Sequence, residues 1–259
     1  MIRNNLLATL ALTGQVSDLQ LQVSRNIDPG DAMFQDNLLH YFSCGASALN
    51  VINAAVALAE LTSVQSVLDF GSGAGRVTRW LRAAYPQAAL TVADLRGQDL
   101  AFCATEFGAQ TWVAGTVVAD LVAPGTYDLI WVGSVLTHLS EGQSMALTRK
   151  LLSFLDPNGL LVMSVHGRFA HGNATRAGMY GVDAAWPAIE QAYAATGYGY
   201  ADYPGQDGYG ISLTKPSWTA RFVEAMPDVR LVLLSERAWD GHHDIVALQN
   251  TPAAKNVAW

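Results

Sequence analysis

The chain has 259 residues, of which 51% are hydrophobic and 14% charged, and its formal net charge is −7. This composition suits one large α/β domain and excludes a disordered protein. The acidic balance argues against nucleic acid as a partner, because phosphate binding needs a basic surface. Two cysteines, Cys44 and Cys103, make neither a disulfide framework nor a zinc site and point to a reducing, cytoplasmic setting.

In chain order, Arg3 precedes a short apolar run over 6–12. The run is too short for a signal peptide, and no small-x-small cleavage pattern follows it, so an amphipathic helix is expected. The rest of 1–62 reads as mostly helical. Asp28-Pro29-Gly30-Asp31 marks a turn, and apolar residues recur at helical spacing over 50–61. No stretch is expected to span a bilayer.

From 64 to 166, short β-branched runs near 66–70, 89–94, 110–114, 127–132 and 159–165 alternate with helical stretches near 75–84, 97–107 and 142–154. This alternation predicts a parallel sheet with helices on both faces, and such sheets bind ligands outside the carboxyl ends of their strands. Residues 168–214 are rich in Gly and Tyr and read as an insertion over the strand ends, with a helix at 184–196. A helix over 215–226 and strands at 229–238 and 244–249 complete the chain. The organisation expected is a helical N-terminal cap over 1–62 and an α/β domain over 63–259 that carries the 168–214 insertion as a lid.

The most informative stretch runs from Ser66 to Arg82. A short apolar strand ends around Asp69, passes glycines at 71, 73 and 75, and opens into a helix. Glycine lets the backbone approach a nucleoside closely, and the helix start aims free N–H groups at the same place. A dinucleotide fingerprint, G-x-G-x-x-G, needs glycine at 76, where this chain has Arg76. Some twenty residues on, Leu90-Thr91-Val92-Ala93-Asp94 reads as a second strand ending in an acid placed to accept both ribose hydroxyls. Arg76, Arg79 and Arg82 share one helix and read as a solvated face.

The Asp69-x-Gly71-x-Gly73-x-Gly75 pattern resembles motif I of the class I S-adenosylmethionine-dependent methyltransferases. The strand opening Tyr127-Asp128 and the turn Pro157-Asn158-Gly159 resemble later motifs of the same family. The resemblance covers 64–166 and implies a Rossmann-like sheet of seven strands, mostly parallel with the last antiparallel. The helical extension precedes this sheet, and the aromatic-rich insertion follows strand five. It also implies S-adenosyl-L-methionine as cofactor, with Asp69, Gly71, Ser72, Gly73 and Gly75 at its methionine end, Asp94 at its ribose and Leu95 among its contacts. Gly133 would follow strand four beside it. Thr116 stands where relatives carry an adenine-binding acid, with Asp120 as a later acid in its place the alternative, and Tyr41 where a Tyr often reaches the cofactor carboxylate. The activity implied is methyl transfer, O-methylation favoured, to a small hydroxylated acceptor. A homodimer is compatible with it, and no nucleic acid or membrane is expected as partner. Two other readings remain open: a silent cofactor-binding protein that acts through protein contacts, and an NAD-dependent oxidoreductase, which Arg76 disfavours.

Methyl transfer from a sulfonium needs in-line positioning and, for a hydroxyl acceptor, a base. Topology sends His138, His166 and the pair His242-His243 to the strand ends, so His138, His243 and His166 are the candidate catalytic residues. His138, His242, His243 and Asp244 are also competent metal ligands. They lack tight ligand spacing, and no metal is assigned to them.

Overall fold

The structure is a computed structural model that describes residues 22–251. The helix expected near 6–12 lies outside the described residues. Seven strands form one sheet: β1 (Ser66–Phe70), β2 (Ala89–Asp94), β3 (Gln110–Val113), β4 (Tyr127–Val132), β5 (Leu155–Val165), β8 (Val229–Trp239) and β9 (His243–Asn250). Their order across the sheet is β3-β2-β1-β4-β5-β9-β8. The first five strands pair in parallel, while β9 runs antiparallel to both β5 and β8. The seven-stranded, mostly parallel Rossmann-like sheet with an antiparallel last strand is therefore present.

Its central strands are apolar on both faces, as a doubly covered sheet requires. Along β4, Leu129 and Trp131 face one core while Ile130 and Val132 face the other. Along β9, Ile245 and Ala247 alternate with Val246 and Leu248 in the same way. The first face is covered by α1 (Leu38–Leu58), α2 (Thr78–Ala84) and α3 (Gly97–Phe107), and the second by α4 (Glu141–Leu152) and α7 (Pro216–Glu224). The start of α4 is fixed by a capping box between Ser140 and Gln143. Asp128 joins β4 to β1 by accepting from the Gln65 and Ser66 N–H groups, which makes that motif acid structural.

Two sequence expectations change here. Among the described residues one helix, α1, is long and apolar enough to cross a membrane, with 21 residues and a mean hydropathy of 1.4. Half of its apolar stretch is buried in the fold, where Cys44, Ala48, Val51, Ile52 and Ala55 pack with Trp131, Trp239 and Ile245 on the sheet. It is a core helix. The three arginines are not a solvated face either. Arg79 is 1% exposed and donates to the carbonyls of Ser24, Asn26 and Gly75 and to the Tyr41 hydroxyl. Arg82 donates to the carbonyls of Phe107 and Ala88, and the Arg76 guanidinium lies 5.9 Å over the Trp239 ring.

The 168–214 insertion has its own small core of Ala170, Trp186, Ile189, Tyr193, Ile211 and Leu213. It holds α5 (Arg168–Gly172), α6 (Trp186–Thr196) and a hairpin of β6 (Tyr198–Tyr203) and β7 (Gln206–Thr214). The hairpin is absent from the sequence reading. Its signal is Pro204-Gly205 between two runs, with Gly205 at φ +75° as the second residue of a tight turn requires.

Candidate active site

The β1–α2 turn sits at the carboxyl ends of β1 and β2, held by Gly71 and Ser72 N–H groups donating to the Ala93 carbonyl at 2.7 and 3.1 Å. Its three glycines all have positive φ, but for different reasons. A Cβ on Gly71 or Gly75 would lie 2.4 Å from Val135 or Phe107, so these two are tight against the protein itself. A Cβ on Gly73 would meet nothing within 4 Å, which leaves its open side for a ligand. Gly75→Ala is expected to destabilise the fold by about 2–4 kcal/mol in urea unfolding, through strained φ and overpacking of Phe107.

Across this turn, Asp94 accepts from the Gly73 N–H at 2.9 Å with one oxygen and from the Arg96 N–H at 3.1 Å with the other. A carboxylate offers about four acceptor sites, so two remain for a diol. The next residue, Leu95, is 59% exposed, an uncovered apolar side chain beside that carboxylate. Asp69 is 1% exposed and accepts from the Thr78 hydroxyl at 2.6 Å. Burial pushes its carboxyl up to about 7, against the Thr78 bond, which lowers it. Ser72 is buried and donates to the Gly73 carbonyl, so its side chain shapes the turn. Gly133 packs over Trp131 and Trp239, and Ser134 beyond it holds φ +59° with its N–H on the Ser164 hydroxyl at 2.7 Å.

Two expected contributors stand differently. Tyr41 is fully buried, and its hydroxyl donates to Asp31 at 2.6 Å while accepting from Arg79. Its hydroxyl is committed, so reaching a cofactor carboxylate would break the Arg79 clamp. Thr116 is exposed beyond β3, with no side-chain hydrogen bond among the described residues.

The histidines divide into two groups. His166, His242 and His243 converge, with ring centroids 4.7, 5.4 and 5.2 Å apart in pairs. Burial, and then the neighbouring imidazoles, hold His166 well below the ordinary imidazole range and bring His243 down to about 3. His138 lies apart, in the turn after β4 and under the hairpin, against Tyr203 and Tyr209. Its Nδ1 is 2.9 Å from the Gly210 carbonyl, an acceptor only, so Nδ1 carries the proton and Nε2 the lone pair. Burial lowers its pKa and the Gly210 bond raises it, with burial prevailing. Asp244 turns away to accept from the Arg237 N–H, and its other oxygen lies 1.6 Å from where a Cβ on Gly167 would stand. Gly167 and the hairpin partners of His138 were invisible in the sequence reading.

The sheet, the glycine turn and the acid ending β2 make a Rossmann-like fold with a candidate nucleoside site at its strand ends. Residues 67–159 match the family model of the methyltransferase domain. Over 109 residues the chain is 29% identical to a malonyl-[acyl-carrier protein] O-methyltransferase of Halalkalibacterium halodurans, and it spans 40% of that relative's length. Among solved structures, N-methyltransferase NodS from Bradyrhizobium japonicum WM9, in complex with S-adenosyl-L-homocysteine, superposes with a TM-score of 0.52 at 15% identity over 90% of this chain and 97% of that one. The plantazolicin methyltransferase BpumL, also complexed with S-adenosyl-L-homocysteine, gives 0.56 at 13% identity over 97% and 99%. Magnesium protoporphyrin IX methyltransferase from Synechocystis PCC 6803 gives 0.54 at 14% identity over 95% and 98%. At these identities the superpositions speak for the fold alone.

Proposed function

We propose that the chain is an S-adenosylmethionine-dependent methyltransferase acting on a small, hydroxylated acceptor beneath the aromatic insertion, with O-methylation favoured. The observation that supports this reading is the Asp94 carboxylate bonded to the Gly73 N–H, in a glycine turn where Gly73 has open space in place of a Cβ. That cradle suits a ribose diol on Asp94 and a methionine moiety along the backbone of 71–73, with Leu95 against the purine. The bound cofactor supplies an already activated methyl group. The chain's own work is to bind, to align the acceptor and to take its proton.

His138 is the base in this reading. The Gly210 carbonyl fixes its tautomer and leaves Nε2 free to accept. Asp69 orders the turn through Thr78, and Tyr203, Tyr209 and Tyr180 line the acceptor side. The reading includes a cytoplasmic setting, which suits the free, buried thiols of Cys44 and Cys103.

Turnover of S-adenosylmethionine against a panel of hydroxylated acceptors tests it. His138→Gln is expected to lower kcat by about 10²–10⁴-fold while leaving affinity for S-adenosylhomocysteine within about twofold. A base must be neutral to act. Because burial lowers the His138 pKa, kcat/KM should climb with pH below the ordinary imidazole value of 6.5 and be flat by neutrality. A variant with full kcat would remove His138 from the reaction.

A further inference from the structure

We propose that His166, His242 and His243 form a three-imidazole site for a borderline divalent metal ion, of the Zn²⁺ class, at the edge of the acceptor side. One ring nitrogen from each lies within 4.8 Å of the others. A triangle with edges no longer than that has its centre at most about 2.8 Å from each corner, so each nitrogen need move no more than about 0.7–0.8 Å to reach the 2.0–2.1 Å of a Zn–N bond. The three rings come from two rigid places, the end of β5 and the tight turn joining β8 to β9, which the Trp239–His243 pair closes.

A second, independent observation points to a ligand here. His166 is 5% exposed, and its Nδ1 has no hydrogen-bond partner. The Nδ1 of His243 is likewise buried and unpartnered. Buried polar atoms without partners are uncommon in folded proteins, and two on the rings of one cluster call for an explanation. Aromatic walls surround the cluster: Tyr180 stacks on His166 at 5.5 Å, Phe169 meets His242 at 5.6 Å and Trp239 meets His243 at 4.8 Å. None of these rings competes for the lone pairs. The charged groups nearby are Arg76, Arg237, Asp240 and Asp244. Asp240 pairs with His40 and Asp244 bonds backbone, so the ligand set is three neutral nitrogens with a position left open. Three histidines with an open position are the arrangement of metal centres that bind and polarise a substrate oxygen. The metal site stands on its own geometry, whereas assigning the open position to the acceptor oxygen rests on the methyl-transfer reading above.

Titration of the full, untagged, chelator-treated chain with Co²⁺, followed by its visible ligand-field absorption, is expected to saturate at one equivalent, with Zn²⁺ displacing the colour. His242→Ala, at a half-buried position, should weaken Co²⁺ binding at least about tenfold with thermal unfolding little changed, as should His166→Ala and His243→Ala if they fold. His138→Gln should bind Co²⁺ as the parent does. Absence of ligand-field absorption, or binding that survives His242→Ala undiminished, overturns the site. S-adenosylhomocysteine affinity on the same samples separates the two ideas: cofactor binding without Co²⁺ binding rejects the metal site alone. Co²⁺ binding without cofactor binding rejects the methyltransferase reading and leaves the site standing.

Discussion

Replacing Asp94 by Asn is expected to weaken S-adenosylhomocysteine binding by about 10- to 150-fold in calorimetry. A charge-assisted hydrogen bond contributes about 1.5–3 kcal/mol, and an amide keeps one acceptor oxygen while losing the charge and the second acceptor. The remaining oxygen can still accept from the Gly73 N–H, which Asp94 holds at 2.9 Å, so the turn should persist. Unfolding in urea should therefore shift far less than affinity does. Asp94→Ala removes both functions and should lose more. Glu224, exposed at the end of α7, is the control, and Glu224→Gln should bind as the parent does. Undiminished affinity in Asp94→Ala would mean that the diol is not read at the end of β2.

The second large effect concerns stability and carries the opposite sign. Asp69 is buried with one hydroxyl partner, and burial lifts its carboxyl from the usual range to about 7. Its folded pKa thus exceeds its unfolded value, and between about pH 4 and 7 the native state holds a proton that the unfolded chain has released. Stability from this group is present at low pH and is lost as pH rises through about 7. Asp69→Asn keeps an acceptor for Thr78 and does not ionise. It should therefore unfold about 1–4 kcal/mol less readily than the parent at pH 8 in the absence of cofactor, with the difference vanishing near pH 4. The parallel expectation is weaker S-adenosylhomocysteine binding, because the carboxylate that orders the turn is gone. A variant less stable than the parent at pH 8 would show that ionised Asp69 is well compensated in the native protein.

Much of the architecture was legible because the sheet is buried on both faces. Strands at 66–70, 89–94 and 127–132 announce themselves as apolar runs between helical stretches, and their bounds in the structure are the same. The glycine turn and Asp94 were legible for a different reason: their spacing is set by one strand, one turn and one helix, all local in sequence. What stayed hidden depends on contacts between distant segments. Arg79 looks like a surface arginine until Ser24, Asn26 and Tyr41 close around it. Tyr41 looks available until Asp31 and Arg79 use its hydroxyl. The histidines illustrate both halves. Topology sends four of them to the strand ends and predicts that they converge; in the structure His166, His242 and His243 do, while His138 lies under the hairpin against Gly210. That hairpin had a local signal in Pro204-Gly205, masked by the glycine and tyrosine content of the whole insertion.

The most direct measurement is calorimetry of the full chain with S-adenosylhomocysteine and, separately, NAD. A nucleoside cradle built by the 71–73 backbone and Asp94 predicts one-to-one binding of the first and no heat from the second. Tight NAD binding with no response to S-adenosylhomocysteine would contradict it.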